Sequence, residues 1–347
     1  MKLVVFRSEA SSKIGAGHIM RCLSLADKLA EKDWICYFAC ASSTVKTVSE
    51  LANSKHHTLE LPLHPQNQPQ YLMSMFPQGI ELLVVDHYEL GSNYESSCRS
   101  WASAILAIDD LANRTHDADI LLDQTINRPK SDYNNLTPND CWILIGPEYA
   151  LLREEFSKNR SSALFERDRR PPKLDRILVS LGSQDLSDAT SLVLKSIYSF
   201  LDDVHVDVIL SRTAPHLARV KELMKQFPST RLFSDVANIS TVISEADLAI
   251  GAGGISSWER CCLGIPTVSI TVSDNQALIN RNLDDIGAVC HVGEYQKIDF
   301  EKLANSIETF RVNPEKLTDM SQRARRVCDG LGATRLVDII TEYFARL

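Results

Sequence analysis

The sequence contains no apolar run that approaches the roughly 20 residues required of a membrane-spanning helix. It also begins with a strand-like segment instead of the apolar core of a signal peptide. We therefore expect a cytoplasmic protein with no membrane insertion. Basic runs are missing as well, since 37 Lys and Arg are outnumbered by 45 Asp and Glu, for a net charge of −8. We expect no nucleic-acid partner, and an anionic ligand would need basic or N–H groups gathered locally.

The chain has nine cysteines but no Cys-x-x-Cys pair of the kind that holds zinc. Most of them stand within apolar patterns, as Cys36 and Cys262 do, so we interpret them as reduced core thiols. No cluster of His, Asp and Glu resembles a catalytic metal site, so we expect neither a metal nor a cofactor.

With 347 residues, of which 44% are hydrophobic, the chain is long enough for two domains. Apolar strands alternate with helical patterns in both halves, which predicts an α/β fold with doubly wound parallel sheets. A Ser-, Arg- and Asp-rich segment that ends in Pro171-Pro172 separates the halves. We predict an N-terminal domain over residues 1–156, a linker over 157–173 and a C-terminal domain over 174–347, leaving open that the last helix packs back on the N-terminal domain.

The predicted elements follow the apolar pattern closely. One helix is predicted over residues 44–53. The predicted strands are 3–6, 34–39, 58–61, 81–86, 104–108, 120–123 and 142–145 in the first half, and 176–180, 206–210, 231–233 and 247–250 in the second.

The first strand leads through a Gly-containing loop into a helix that should begin close to His18. Gly15 and Gly17 allow positive φ and a close backbone approach, and the N–H groups of a first helical turn attract anions, which suits a phosphorylated substrate. A lone Gly-x-Gly is a weak signal. This segment is equally compatible with an ordinary strand-to-helix turn that carries an incidental histidine.

Polar residues follow two further strands of the same predicted sheet. The strand 81–86 ends in Asp86-His87-Tyr88, and the strand 104–108 is followed by Asp109-Asp110. These carboxyl ends belong to the edge at which open α/β sheets bind ligands, the edge that His18 shares. Asp86 could instead cap the following turn.

The second half repeats the strand–loop–helix pattern twice. One strand leads into Gly182-Ser183, and another leads into a glycine loop, residues 251–254, where Ser256 or Ser257 would cap the next helix and its first turn would donate N–H groups to phosphate. Glu259 lies within or just past that turn. A carboxylate there stabilises the helix dipole by about 0.3–1 kcal/mol, and it could instead accept hydrogen bonds from both hydroxyls of a ribose.

Several segments together carry a family resemblance. They are Phe6-Arg-Ser8 with Ile14-Gly-Ala-Gly-His18, Asp86-His-Tyr88, Tyr149-Ala-Leu-Leu-Arg-Glu-Glu-Phe156, the segment 251–266 and Asp274-Asn-Gln276. The chain resembles the UDP-sugar hydrolases of pseudaminic acid biosynthesis (PseG), which are similar in turn to MurG-type glycosyltransferases. One departure is Glu9, where the family more commonly has Asp.

The resemblance implies a GT-B-like fold, with two Rossmann-like domains and an interdomain cleft. It implies that UDP lies chiefly against the C-terminal domain, with Glu259 at the ribose, Ser256 and Ser257 at the diphosphate and the backbone near Val236 at the uracil. His18 matches the catalytic histidine and Tyr88 a tyrosine of the sugar site. The remaining expected substrate-binding residues are Arg7, Gly15, Gly17, Asp86, His87, Gly182, Ser183, Gly253, Gly254, Asn275 and Gln276.

The implied reaction is the hydrolysis of UDP-2,4-diacetamido-2,4,6-trideoxy-β-L-altropyranose to UDP and the free sugar, with inversion and C–O cleavage. His18 would activate the water, because the ordinary histidine pKa of about 6.5 suits a base and a helix N-terminus disfavours the protonated ring. We expect a metal-independent monomer that serves pseudaminic acid biosynthesis for flagellin glycosylation or a surface polysaccharide. The alternatives are a MurG-like UDP-sugar glycosyltransferase and a nucleotide-sugar-binding regulator without turnover.

Overall fold

The structure, a computed structural model, describes residues 2–11, 15–198, 204–227, 229–234, 236–298 and 300–347. Ile14 of the Ile14-Gly-Ala-Gly-His18 motif lies outside these residues. The described chain divides into two compact units. The first comprises the residues up to Arg153 together with Leu331–Leu347, and the second comprises Glu154–Gly330.

Strands and helices alternate along both units, as the apolar pattern predicts. The strands are β1 Lys2–Ser8, β2 Trp34–Cys40, β3 His57–Glu60, β4 Ile80–Asp86, β5 Ala102–Ile108, β6 Ile120–Asp123, β7 Trp142–Ile145, β8 Arg176–Ser180, β9 His205–Ile209, β10 Thr230–Phe233, β11 Leu248–Ala252, β12 Thr267–Thr271 and β13 Cys290–Glu294. The α-helices are α1 Gly17–Ala30, α2 Ser42–Thr47, α3 Ser49–Ala52, α4 Gln68–Met75, α5 Ser92–Cys98, α6 Glu154–Arg169, α7 Ala189–Ile197, α8 Leu217–Met224, α9 Ile239–Ser244, α10 Ile255–Cys262, α11 Ala277–Asp285, α12 Phe300–Val312, α13 Glu315–Ala324 and α14 Gly332–Arg346.

In the first unit, seven described strands form one parallel sheet in the order β3-β2-β1-β4-β5-β6-β7. Val4, Val5 and Phe6 of β1 are all fully buried because helices cover both faces of the sheet. This explains why the strand is continuously apolar instead of alternating.

In the second unit, six described strands form a parallel sheet in the order β10-β9-β8-β11-β12-β13. Its core contains Ile177, Val206 and Ile250, all fully buried. Both units are therefore doubly wound α/β layers, and the predicted fold class is confirmed.

Each sheet has one point where the strand order reverses. In the first unit, β1 is followed by β2 on one side and has β4 on the other; in the second, β8 lies between β9 and β11. The loops after the two central strands diverge at such a point and leave a crevice at the carboxyl edge of the sheet. In the first unit, His18 follows β1 and Asp86 is the last residue of β4. In the second unit, Gly182 follows β8, and the glycine loop spans the end of β11.

Helix α6 covers most of the segment 157–173 that the sequence suggests as a linker. Arg, Ser, Asp and Glu are compatible with an exposed helix, so a linker-like composition does not exclude one. The helix ends before Pro171-Pro172, as proline requires. None of the α-helices in the described parts of the chain is long and apolar enough to cross a membrane.

Helix α14 belongs to the first unit although it ends the chain. Its Leu336 and Ile340 share a buried core with Ile19 of α1. Gly332 begins this helix directly against the backbone of Ala150, where a β-carbon would have no room. The helix therefore covers the same face of the sheet as α1.

Candidate functional site

His18 lies in the first turn of α1, where the sequence predicts it, and is 7% exposed. Its Nδ1 is 2.6 Å from Oδ1 of Asp86, the last residue of β4. Asp86 is fully buried. Loop geometry at the point of strand reversal thus brings together two residues separated by 68 positions.

Arg21 lies one helical turn after His18 and binds the same carboxylate. Its Nε donates to Oδ2 of Asp86 at 2.6 Å and its Nη2 donates to Oδ1 at 2.5 Å. Its Nη1 donates to Oδ2 of Asp110 at 3.2 Å. Burial alone would raise the pKa of Asp86, but the charges and hydrogen bonds of Arg21 and His18 hold this pKa well below its usual range.

The ionised Asp86 fixes how His18 can act. A carboxylate only accepts hydrogen bonds, so we assign the histidine proton to Nδ1 and the lone pair of the neutral ring to Nε2. Nη2 of Arg21 lies 3.2 Å from Nδ1, a longer contact than the one to Asp86. Asp86 therefore orients the His18 ring. The capping role considered for Asp86 is not its main one.

Tyr88 packs edge-on against His18, with ring centroids 4.6 Å apart and an interplanar angle of 82°. Its hydroxyl lies 3.5 Å from Oδ2 of Asp110, the aspartate that also accepts from Arg21. Tyr88 is partly exposed. The two residues with predicted catalytic roles are thus neighbours, and Asp110 joins them to the Arg21 network.

Arg7 and His87 occupy the same edge but are engaged by the protein itself. Arg7 is 1% exposed and donates to Gln68 and Glu9, at 2.9 Å in each case. His87 Nε2 lies 3.4 Å from Glu9 Oε2. The hydrogen bond from His87, together with Arg7, lowers the pKa of Glu9 to about 2 despite partial burial. Arg7 therefore binds Glu9 and stabilises its ionised form. The sequence alone did not indicate this contact.

Gly15 has φ +82° and no atom within 4 Å of the place where a β-carbon would stand. Its N–H donates to the carbonyl of Ser11 at 2.8 Å, and Gly17 opens α1. Gly15 therefore has the positive φ that the sequence predicts, with open space beside it, whereas Gly17, the first residue of α1, does not have positive φ.

The second unit presents two glycine turns at the carboxyl edge of its sheet. Gly182, after β8, has φ +109°, and Gly254, at the N-cap of α10, has φ +92°. Neither has an atom within 4 Å of an added β-carbon. Both turns therefore expose backbone, next to the start of a helix in the second case, which is an arrangement that binds anions.

The predicted caps of α10 are wrong. Gly254 is the N-cap, and Ser256 and Ser257 already lie inside the helix. Ser257 is 2% exposed, its Oγ donates to the carbonyl of Ala252 at 3.4 Å, and it accepts from Nη2 of Arg260 at 3.2 Å. The helix starts earlier than expected because glycine can adopt the positive φ of this N-cap. Ser256 remains partly exposed, whereas Ser257 faces the interior.

The other predicted residues of this unit lie on neighbouring loops. Gly253 packs so closely on the turn after β12 that a β-carbon would lie 2.8 Å from Cβ of Gln276. Gln276 accepts from the N–H of Val272 at 3.1 Å, and Asn275 accepts from the hydroxyl of Ser273 at 2.6 Å. Three of the predicted residues at this edge are partly exposed: Glu259, just past the first turn of α10; Val236, after β10; and Asn275. Ser183 is exposed.

Three residues at these edges were missed by the sequence interpretation: Arg21, Asp110 as a partner of Arg21, and Arg260. Arg21 and Arg260 interrupt apolar helical faces and are 4% and 2% exposed. Arginine is rarely buried without a reason, so a charged residue on the apolar side of a predicted helix was the available signal. Groups of three or more His, Cys, Asp or Glu placed to hold a metal are not found among the described residues.

Comparison with known proteins adds to this geometry. No protein-family model matches the chain. The UDP-2,4-diacetamido-2,4,6-trideoxy-β-L-altropyranose hydrolase of Campylobacter jejuni is 28% identical over 248 residues, which cover 71% of this chain and 83% of the hydrolase. The predicted resemblance to this hydrolase is confirmed.

Two further proteins extend the likeness over nearly the whole chain. The spore coat polysaccharide biosynthesis protein SpsG of Bacillus subtilis is 22% identical over 346 residues, 95% of each chain. The crystal structure of Acinetobacter baumannii MurG superposes with a TM-score of 0.68 at 16% identity, covering 99% of this chain and all of MurG. The GT-B-like fold with two Rossmann-like sheets is therefore confirmed.

Proposed function

We propose that this protein hydrolyses a UDP-linked 2,4-diacetamido-2,4,6-trideoxy sugar, UDP-2,4-diacetamido-2,4,6-trideoxy-β-L-altropyranose, to UDP and the free sugar. The observation that carries the proposal is the His18–Asp86 pair at the strand reversal of the first sheet, with Nδ1 2.6 Å from Oδ1. The 28% identity to the Campylobacter jejuni hydrolase supports the choice of substrate class. The product would serve pseudaminic acid biosynthesis.

His18 is the proposed general base. A neutral imidazole with its Nδ1 proton held by an ionised carboxylate presents the Nε2 lone pair, which can take a proton from water. Asp86 then stabilises the imidazolium that forms. Tyr88 packs edge-on against the ring and is proposed to contact the sugar.

In the proposed step, the water oxygen forms a bond to the anomeric carbon while the bond from that carbon to the β-phosphate oxygen of UDP breaks. The water proton passes to Nε2 of His18, and the bonding electron pair leaves with UDP. Attack opposite the leaving group inverts the anomeric configuration. The exposed backbone of the Gly254 turn and the first turn of α10 are proposed to stabilise the diphosphate.

Glu259 is proposed to bind the ribose of UDP. It is partly exposed and lies just past the first turn of α10, so its carboxylate can accept hydrogen bonds from two neighbouring hydroxyls. Ser256, partly exposed in that turn, and the backbone near Val236 are proposed to meet the diphosphate and the uracil. The buried Ser257 is left out of this contact set.

The decisive experiment is incubation of the purified protein with UDP-2,4-diacetamido-2,4,6-trideoxy-β-L-altropyranose in ¹⁸O-labelled water. We expect free UDP to accumulate, and we expect the label in the sugar and not in UDP, because the C–O bond is the one that breaks. NMR of the first-formed sugar should show the inverted anomer before it equilibrates.

Other outcomes would favour other functions. Label in the phosphate would show cleavage of the P–O bond and would contradict the proposed attack at carbon. Release of UDP only when an acceptor alcohol is added would indicate a glycosyltransferase of the MurG kind. Binding of the UDP-sugar without any release of UDP would indicate a regulator.

A further inference from the structure

Arg260 is a charged side chain in the interior of the second unit, and no ion pair to it is found within the part of the chain that the structure describes. It is 2% exposed, on the face of α10 that packs against β11. Its Nη2 donates to the carbonyl of Ala252 at 2.6 Å and to Oγ of Ser257 at 3.2 Å. Its Nε and Nη1 are buried and have no hydrogen-bond partner among the described residues.

A guanidinium in this environment is costly to the fold. Burial without a carboxylate partner destabilises a charge, and an apolar side chain of similar volume would be more favourable at such a position. Burial lowers the pKa of Arg260 to about 10, although Cys261 and Glu259 oppose the shift. The side chain therefore remains protonated near neutral pH, and packing does not explain why it is there.

The position of the guanidinium relative to the glycine loop suggests the explanation. A β-carbon on Gly251 would lie 2.6 Å from Cζ of Arg260, so the charged plane lies directly against the first residue of the loop. Only glycine leaves room for it. The positive charge is thus fixed beneath the segment that joins β11 to the N-terminus of α10.

The hydrogen bond to Ala252 also orients the loop. In a planar trans peptide, the carbonyl and the following N–H point in opposite directions. Because the carbonyl of Ala252 points towards Arg260, the N–H of Gly253 points away from it, towards the neighbouring strand β12, where Ile270 pairs with Ala252. The guanidinium therefore holds the end of β11 and places a buried positive charge behind the glycine loop.

We propose that Arg260 is a positioning residue for the diphosphate of UDP. It holds the Ala252–Gly253 peptide in place beside the glycine loop and adds a positive field that the low dielectric of the interior does not screen. It does not touch the ligand. This inference rests on the proposed function, and it assigns the recognition of phosphate, as distinct from uridine, to a side chain behind the loop.

The test compares ligands that differ only in phosphate. Uridine, UMP and UDP are titrated into wild type, Arg260→Met and Arg260→Lys, with calorimetry or ligand-observed NMR to follow binding. In Arg260→Met we expect the affinity for UDP to fall on the order of 10- to 100-fold, with a smaller loss for UMP and little change for uridine. Arg260→Lys keeps the charge and should recover part of the affinity for UDP.

Arg311→Met is the matched control, because Arg311 is exposed on α12 and its removal changes the net charge equally. This variant should bind all three ligands as wild type does. If Arg260→Met does not fold, Arg260→Gln replaces it, since the amide can still donate to Ala252 while the charge is lost. The same selective loss of UDP affinity is expected.

Two results would overturn the inference in distinguishable ways. Wild type that binds UDP, combined with an unchanged ratio of UDP to uridine affinity in Arg260→Met or Arg260→Gln, would show that Arg260 only supports the loop. Wild type that does not bind UDP would contradict the proposed function itself, and the role of Arg260 with it.

Discussion

Asp86 contacts His18 and Arg21 at the carboxyl edge of the first sheet. It accepts from His18 and is held by two nitrogen atoms of Arg21, while it is fully buried. Removal of one member of a buried charged network leaves the others without compensation and is strongly destabilising. The same residue therefore has a structural and a proposed catalytic effect, and the two can be separated by mutation.

Asp86→Asn should lower the free energy of unfolding by about 3–5 kcal/mol, because the buried Arg21 loses its main counter-charge. Turnover should fall about 10²–10⁴-fold, because a neutral amide no longer stabilises the imidazolium of His18. The double variant Asp86→Asn/Arg21→Met should recover stability, since the uncompensated charge is gone, but not turnover. Urea unfolding and UDP release measure the two quantities. Turnover that returns together with stability would show that Asp86 acts only through the fold.

The residues of this site were only partly predictable. His18, Asp86 and Tyr88 follow or end strands, and parallel strands bring such positions to one edge. The role of Arg7 was not predictable, because its partners Gln68 and Glu9 are set by tertiary packing. Arg21 was missed because its spacing from His18 has meaning only once the helix face is known to cover the sheet.

Helix α5 is joined to the end of β5 by a buried histidine outside the proposed site. Nδ1 of His116 is 2.8 Å from Oε1 of Glu95, which lies in α5, and Nε2 is 3.8 Å from Oδ2 of Asp109, which follows β5. Burial alone would lower the pKa of His116, but hydrogen bonding and the charges of Asp109 and Glu95 raise it to about 9.

This raised pKa makes the stability of the fold depend on pH in a defined direction. The ordinary pKa of histidine in an unfolded chain is about 6.5, so the folded state holds the proton more tightly. The stabilisation is fully present below pH 6.5 and is lost as the pH rises through about 9. The size of the shift corresponds to about 3 kcal/mol.

The measurement is urea unfolding of wild type and His116→Gln at several pH values between 6 and 10. We expect the stability advantage of wild type to be greatest at the acidic end and to shrink as His116 loses its proton. The comparison between variants removes contributions from other titrating groups. Parallel stability curves for the two proteins would contradict the assignment of this pH dependence to His116.

At the level of elements, the apolar pattern predicted strands better than helix boundaries. The predicted strands 120–123, 142–145 and 176–180 match β6, β7 and β8 at both ends. The helix predicted over 44–53 is divided into α2 and α3 by Val48, which has an extended backbone. The sequence around Val48 gives no indication of this break. The linker-like segment became α6 because composition does not distinguish an exposed helix from a loop.

At the scale of the whole molecule, each unit is proposed to contribute one part of the reaction. The first sheet presents His18, Asp86 and Tyr88 at its strand reversal, and the second presents the glycine loop and Glu259 at its own. The net charge of −8 gives an anionic substrate no general attraction, so we propose that binding comes from local backbone donors supported by the field of Arg260. The parallel, doubly wound class of both sheets could be expected from the alternating pattern, whereas strands β12 and β13 of the second sheet were not predicted. The ion pairs and hydrogen bonds at each edge could be seen only in the structure.

His18 is proposed to be the base that activates water in the hydrolysis of a UDP-sugar. This role is tested most directly by the turnover number of His18→Asn at saturating UDP-2,4-diacetamido-2,4,6-trideoxy-β-L-altropyranose, measured beside its affinity for UDP. His64→Asn serves as the control, because His64 is exposed and outside the site. We predict a fall in turnover of about 10²–10⁴-fold with nearly unchanged UDP affinity, since a positioned base acts on the rate and not on nucleotide binding. Near-normal turnover of His18→Asn at saturating substrate would contradict the claim.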